Sequence, residues 1–288
     1  MTAPLVHILG CGRTARTIAR LMVDCRAIRV GQVLNRSKDS AMEAVEFIGD
    51  GEPVEAFDGS LADGWLLIGL PDGRIGETVA DLIGTCSEPA QLAFHLSGSV
   101  PSEILQPLGT SIASVHPLKA FSDPQQSIAS FSGTWCAAEG EQSALDRLQP
   151  IFEAIGARWV TFRPKDKAAW HAATVAASNF LVTVNAQARE LARLAGMETA
   201  DATRLMYDLQ RGTLDNLAEQ SAAKALTGPF ERGDLPACRR LHGAAHGGLP
   251  PASAALFDHL ALATLALARE KRGERPDDDE LERLFTPD

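Results

Sequence analysis

The sequence predicts an α/β protein in two parts: a doubly wound, mostly parallel sheet covered by helices over residues 1–163, then an all-α domain over 164–288. Three observations carry this reading. Up to about residue 162, short apolar, β-rich runs alternate with amphipathic stretches. A glycine-rich turn stands directly after the first of these runs. Beyond Arg163-Pro164 the β-branched runs give way to alanine-rich and leucine-rich stretches with helical spacing. A length of 288 residues suits two domains of ordinary size.

Taken in order, strands are predicted at 6–9, 29–34, 65–69, 92–96, 112–115, 134–138 and 158–162, each a short apolar run bounded by polar or turn residues. Helices are predicted after Gly12, after Ser37, after Asp72 and over 141–155. In the second part a long helix is expected from about 165 to 195. Shorter ones follow, ending near 270 and broken at Gly196, Gly212, Thr227-Gly228-Pro229 and 247–251. Residues 271–288 contain Asp277-Asp278-Asp279-Glu280 and read as a polar tail with room for a last helical turn.

Composition removes several classes of function. Hydrophobic residues make up 45% of the chain and charged residues 22%, which places it among globular proteins rather than disordered or fibrous ones. A formal net charge of −10 argues against nucleic acid as a partner, because that needs a clustered basic surface. A single nucleotide needs only a local basic pocket and stays compatible. The five cysteines are odd in number, widely spaced and without a CxxC pair, so reduced and mostly buried thiols are expected rather than zinc or redox exchange. The chain begins without the basic and long apolar regions of a signal peptide, and no run approaches the roughly 20 apolar residues of a membrane span. A cytoplasmic protein with no membrane partner and no metal is the expectation.

Gly10-Cys11-Gly12-Arg13-Thr14-Ala15 fits GxGxxA between a predicted strand and a predicted helix. In that setting Gly10 permits the tight turn and Gly12 lets the backbone approach a pyrophosphate. Ala15 lets helix and strand pack closely, and the free amides around Arg13 and Thr14 attract the anion. A glycine turn without a ligand is the competing reading. At the end of the second strand, where an acidic residue would bind ribose hydroxyls, stand Asn35-Arg36-Ser37-Lys38. Arg36 can fork onto a 2′-phosphate and Ser37 can donate to it, so NADP is the cofactor predicted; a solvated basic turn is the alternative.

Ligands of an open α/β sheet gather beyond the carboxyl ends of its strands. Leu70-Pro71-Asp72, His95-Leu96-Ser97-Gly98 and His116-Pro117-Leu118-Lys119 all fall there. Pro71 and Ser97 are candidate cofactor contacts. His95 and His116 could donate a hydrogen bond or a proton, or be structural imidazoles, and Asp72 could simply cap a helix. On the long helix, Lys167, His171, Thr174, Ser178 and Asn185 share one face. That stripe is read either as solvent-facing or as a cleft lining. In the break that follows, Arg232 is a candidate carboxylate binder and Asp234 a helix cap.

Together, residues 10–15, Asn35-Arg36-Ser37, His95 to Gly98, His116-Pro117, Ser178-Asn179 and Gly228-Pro229 through Arg232-Gly233-Asp234 resemble a bacterial family of Rossmann-like proteins fused to a C-terminal helical domain of unknown function. That family is similar to ketopantoate reductase, pyrroline-5-carboxylate reductase and deazaflavin-dependent NADP reductases. The resemblance implies that Lys167 or His171 assists proton transfer, and that Ser178 and Asn179 hold a substrate. It also implies a homodimer formed through the helical domain. His171 stands where the Lys-x-x-x-Asn pattern of the β-hydroxyacid dehydrogenases has asparagine. The expected activity is hydride transfer from NADPH to a small ketone or imine in the cleft between the domains, with His116 a further catalytic candidate and His95 and Arg232 among the substrate contacts. The alternative is a non-catalytic NADP(H)-binding sensor or scaffold.

Overall fold

The computed structural model describes residues 3–57 and 60–287. The chain divides into two compact units, Met1–Ala173 and Thr174–Asp288. The composition changes earlier, at Arg163-Pro164, but the residues between stay with the first unit because Lys167 is bound into its interior.

The first unit is an eight-stranded sheet in the order β3-β2-β1-β4-β5-β6-β7-β8. Its strands are β1 (Leu5–Leu9), β2 (Arg29–Leu34), β3 (Glu52–Val54), β4 (Trp65–Ile68), β5 (Leu92–His95), β6 (Ser111–Pro117), β7 (Trp135–Gly140) and β8 (Arg158–Thr161). All neighbours are parallel except β6 and β7. Strands buried on both faces read as unbroken apolar runs, as β4 and β5 do, with every residue buried. The period of two then sorts their side chains. Val6, Ile8, Trp65, Leu67, Leu92 and Phe94 enter one core, and Leu9, Leu66, Ile68 and Ala93 enter the core on the other face.

The predicted doubly wound sheet is therefore present, with an edge strand that was not anticipated. β3 is three residues long and contains Pro53, which only an edge position tolerates. Its helices are α1 (Arg13–Asp24), α2 (Lys38–Ile48), α3 (Asp72–Thr85), α4 (Pro124–Ala129), α5 (Gln142–Ala154) and α6 (Lys167–Val175). Asp72 sits in the first turn of α3, whose N-cap is Pro71, so it does not cap that helix.

The second unit holds α7 (Leu181–Leu194), α8 (Thr199–Glu219), α9 (Ala222–Ala225), α10 (Pro229–Arg232), α11 (Leu235–Gly248), α12 (Pro251–Arg272) and α13 (Asp278–Phe285). The long helix expected over 165–195 is present as an unbroken helical run, α6 continuing through a π turn at Ala176–Phe180 into α7. Gly212 lies inside α8 and breaks nothing. Asp234 does cap α11, accepting the Ala237 amide at 3.0 Å.

The expected polar tail is a packed helix. Leu281 and Phe285 of α13 are buried with Cys238, Ala261 and Leu265, and Asp278 accepts both terminal nitrogens of Arg272 at 2.7 and 3.1 Å. An acidic run with leucine and phenylalanine at spacing four is amphipathic, which counting charges alone obscures. α12 also departs from expectation: by length and composition it is apolar enough to cross a membrane, with mean hydropathy 1.4. Its buried residues Ala254, Asp258, Ala261, Leu265 and Ala268 recur at helical spacing, the mark of a face packed on neighbours.

Candidate dinucleotide groove and buried polar cluster

The crossovers leave β1 toward β2 on one side and return to β4 on the other, so a crevice opens beyond the carboxyl ends of β1 and β4. A groove of about 730 Å³ lies there, lined by Gly10, Gly12, Leu70 and Pro71 and by four arginines, Arg13, Arg16, Arg36 and Arg74. Gly10 has φ +76°, and a Cβ on it would fall 2.4 Å from Leu70. Gly69 carries the same constraint from the other side, since its Cβ would meet Ala15 at 2.4 Å. These contacts are the close helix–strand packing expected of the motif. Gly12 is different. A Cβ there would meet nothing nearer than the Gly69 carbonyl at 3.8 Å, so the fold itself does not require glycine.

Around the groove, Arg13 donates to the Ser122 carbonyl at 3.0 Å, and Arg16 donates to the Cys11 carbonyl from two nitrogens. Thr14 is half-buried in the first turn of α1. Arg36 is exposed at the end of β2. Asn35 donates to the Ser40 carbonyl at 3.2 Å, while Lys38 lies 3.9 Å from Glu55. Ser37 caps α2 in a reciprocal capping box with Ser40, and its hydroxyl donates to Ser40 Oγ at 3.1 Å. Its first duty is therefore to the helix.

A second constellation gathers where β5, β6 and β7 meet α6. Lys167 is only 2% exposed and Glu139 0%. The ammonium donates to Ser114 Oγ at 2.6 Å and lies 3.3 Å from Glu139 Oε1. The carboxylate also accepts the Ser102 amide at 2.9 Å and the Ser102 hydroxyl at 2.6 Å. Ser114 in turn donates its hydroxyl hydrogen bond to the Ser97 carbonyl at 3.1 Å. Burial pulls the Lys167 pKa below its ordinary value, and Glu139 opposes that shift. With each partner satisfied, this is a buried ion pair stitched into β6, β7, the turn at Ser102 and α6.

His95, expected as a substrate contact, is fully buried beside this pair. Its Nδ1 accepts the Ser97 amide at 3.2 Å and its Nε2 faces the Pro101 carbonyl at 3.4 Å. Both ring nitrogens are engaged, so it is the structural imidazole of the two readings. Ser97, a candidate cofactor contact, accepts the amides of Ser99 and Val100 and is 7% exposed; it closes the turn after β5. His116 lies against the backbone of Gly98, where a Cβ would be 2.6 Å from its ring. Its buried Nδ1 has no hydrogen-bond partner among the described residues. The His171 ring stands edge-on to it at 6.3 Å between centroids.

Of the other predicted contacts, Ser178 and Asn179 are exposed in the π turn, a local form that recurs at functional sites. Arg232 is exposed at the end of α10, and its carbonyl accepts a hydrogen bond from Arg275. The polar stripe is only partly solvent-facing: Lys167 is buried and Asn185 donates to Gln210 at 2.7 Å. Sequence reasoning missed Glu139, Ser102 and Ser114. One signal was available, a lone glutamate inside the apolar strand Cys136-Ala137-Ala138-Glu139, since a charge in a doubly buried strand needs a partner.

The histidines make stability depend on pH. His95 and His116 are both lowered from 6.5 to about 4, by burial first and by the Lys167 ammonium second. Unfolded, these rings take up protons near 6.5, so between pH 6.5 and 4 the unfolded chain binds more protons than the folded one. The stability that the neutral rings contribute is complete above pH 6.5 and is lost as pH falls toward 4, by roughly 3 kcal/mol for the fully buried His95. Urea unfolding at pH 6.5 and 4.5 should show this loss, and His116→Asn should reduce it. An identical loss in the variant would remove His116 from the explanation.

Groove and sheet order define a dinucleotide-type doubly wound domain, and it is joined to a helical one. Residues 134–264 match the family model of a domain of unknown function, DUF2520. Protein TM1727 from Thermotoga maritima superposes with a TM-score of 0.72 at 25% identity, over 93% of this chain and 99% of its own. A pyrroline-5-carboxylate reductase from Coxiella burnetii gives 0.57 at 15% identity over 100% of both chains. A reductive aminase from Aspergillus terreus, solved with NADPH and ethyl levulinate, gives 0.62 at 16% identity over 99% of this chain and all of its own. Compared by sequence with curated proteins, the chain finds no match. The resemblance read from the motifs to Rossmann-like proteins with a C-terminal helical domain is met by these structures.

Proposed function

We propose that the protein is an NADP(H)-dependent oxidoreductase that reduces a small ketone or imine. The observation that carries this is Gly12: it faces the groove beside a helix N-terminus, where the fold leaves room for a side chain that the sequence withholds. A backbone cleared in this way fits close approach of a pyrophosphate, and Arg13 and Arg16 stand beside it to balance its charge. Asn35 stands where an acidic residue would meet ribose hydroxyls, and Arg36 is exposed beside it to fork onto a 2′-phosphate. The reductive aminase solved with NADPH supports the same cofactor class.

When bound, the reduced nicotinamide would supply the hydride. His116, near the end of β6, and His171, on α6, stand together at the carboxyl end of the sheet and would meet a carbonyl or imine held there. His116 is neutral at pH 7 and so offers a hydrogen bond to a carbonyl oxygen or imine nitrogen rather than a full positive charge. In this reading His171 delivers the proton, and Lys167 keeps its ammonium on Glu139 and Ser114, acting through the field it sets. The roles of Ser178, Asn179 and Arg232 as substrate contacts belong to the same proposal.

The test is a titration with NADPH and NADH of wild type and Arg36→Ala. The variant should lose about tenfold or more in NADPH affinity, the worth of a charge-assisted fork, with NADH little changed. Equal weakening of both, or no binding by wild type, would sink the assignment.

We also propose a homodimer. Val182 on α7 and Tyr207 on α8 are exposed and line one hollow, while Leu205 and Leu209 are exposed and line another further round α8, large apolar side chains that a second copy would cover. Sedimentation should give twice the chain mass, and Leu209→Glu should give a monomer; a monomeric wild type would refute this.

A further inference from the structure

The second unit contains a side-chain cluster that the reductase reading does not use. His242 and His246 stand one turn apart on α11, and Asp258 faces them from α12. Their three ligand atoms lie within 4.8 Å of one another. Asp258 is 5% exposed, and a carboxylate is rarely buried so deeply without full partnering. Here the partnering is incomplete. Oδ2 lies 2.7 Å from His246 Nε2, but Oδ1 has no hydrogen-bond partner among the described residues, and His242 Nε2 stands 3.7 Å from it.

We propose that His242, His246 and Asp258 bind one zinc-type divalent cation that clips α11 to α12. Two imidazoles and a carboxylate suit zinc and its first-row neighbours, whereas calcium and magnesium take oxygen ligands. In a tetrahedral zinc site neighbouring ligand atoms are about 3.3 Å apart, which follows from metal–ligand bonds of about 2.0–2.1 Å. His246 Nε2 lies 2.7 Å from Oδ2 and His242 Nε2 3.7 Å from Oδ1, and all the ligand atoms fall within 4.8 Å, so rotation of the carboxylate with shifts of the two rings would bring Oδ1 and both nitrogens to that spacing. The cation would satisfy the unpartnered Oδ1 and hold both rings by their Nε2 atoms. His246 is half-exposed, which gives a path of entry and leaves the fourth position to water. The site lies wholly within the second unit and does not depend on the reductase reading.

Calorimetric titration of the chelator-treated full-length protein with zinc chloride tests this, with magnesium chloride as the control. Wild type should take up one zinc and no magnesium, and cobalt(II) in place of zinc should give the absorption of a four-coordinate ion. His246→Gln and Asp258→Asn should each weaken uptake by more than the roughly 100-fold that loss of an outer-shell partner costs. His259→Gln, one residue beyond Asp258 but bonded to the Ala255 carbonyl, should bind as wild type does. His246 is open enough for its replacement to leave the helices folded, which circular dichroism verifies. No zinc uptake by wild type, or uptake unchanged in a folded His246→Gln, would overturn the proposal.

Discussion

Glu139→Ala should destabilise the first unit by about 3–5 kcal/mol, the usual consequence of leaving one member of a buried ion pair without the other. The Lys167 ammonium would keep the Ser114 hydroxyl but lose the Glu139 carboxylate, at a position 2% exposed to water. Lys167→Met should cost less. The Glu139 carboxylate would still accept two hydrogen bonds from Ser102, and methionine fills the stem's volume. The double variant Glu139→Leu, Lys167→Met should recover much of the loss, because two apolar side chains need no partners. Urea denaturation of the four proteins closes the double-mutant cycle. Single variants within about 1 kcal/mol of wild type, or strictly additive losses, would show that the pair carries no coupling.

What could be read in advance follows from how each feature is encoded. The central strands announce themselves because burial on both faces writes an unbroken apolar run, as in Trp65-Leu66-Leu67-Ile68. The glycine turn is legible because each of its residues answers a local demand at a fixed offset. β3 is not, since a short edge strand with proline carries neither alternation nor an apolar run. The tail helix hides behind its charges until Leu281 and Phe285 are placed on one face. Lys167 drew notice by its position on a polar stripe, but the stripe could not reveal its burial. That is set by Glu139 and Ser114, distant in sequence and brought together by the register of β6 on β7. Pairings of this kind are long-range, and a single chain offers no local sign of them beyond a charge in an apolar strand.

The two glycines of the turn should separate fold from function. Gly10→Ala forces a Cβ into Leu70 at 2.4 Å and places an L-residue at φ +76°. The left-handed backbone costs about 1–2 kcal/mol and the overpacking about 1–3 more, so this variant should lose stability and, with it, ligand binding. Gly12→Ala meets nothing nearer than 3.8 Å and has an extended backbone, with φ −71° and ψ −174°, that alanine adopts freely. Its melting temperature should match wild type. Its methyl group would nevertheless project where a pyrophosphate must touch the backbone. A clash worth about 1–3 kcal/mol there corresponds to a loss of roughly 10- to 100-fold in NADPH affinity. Thermal unfolding and NADPH titration of both variants decide the matter. If Gly12→Ala binds NADPH as tightly as wild type, the groove beyond β1 is not where the dinucleotide lies.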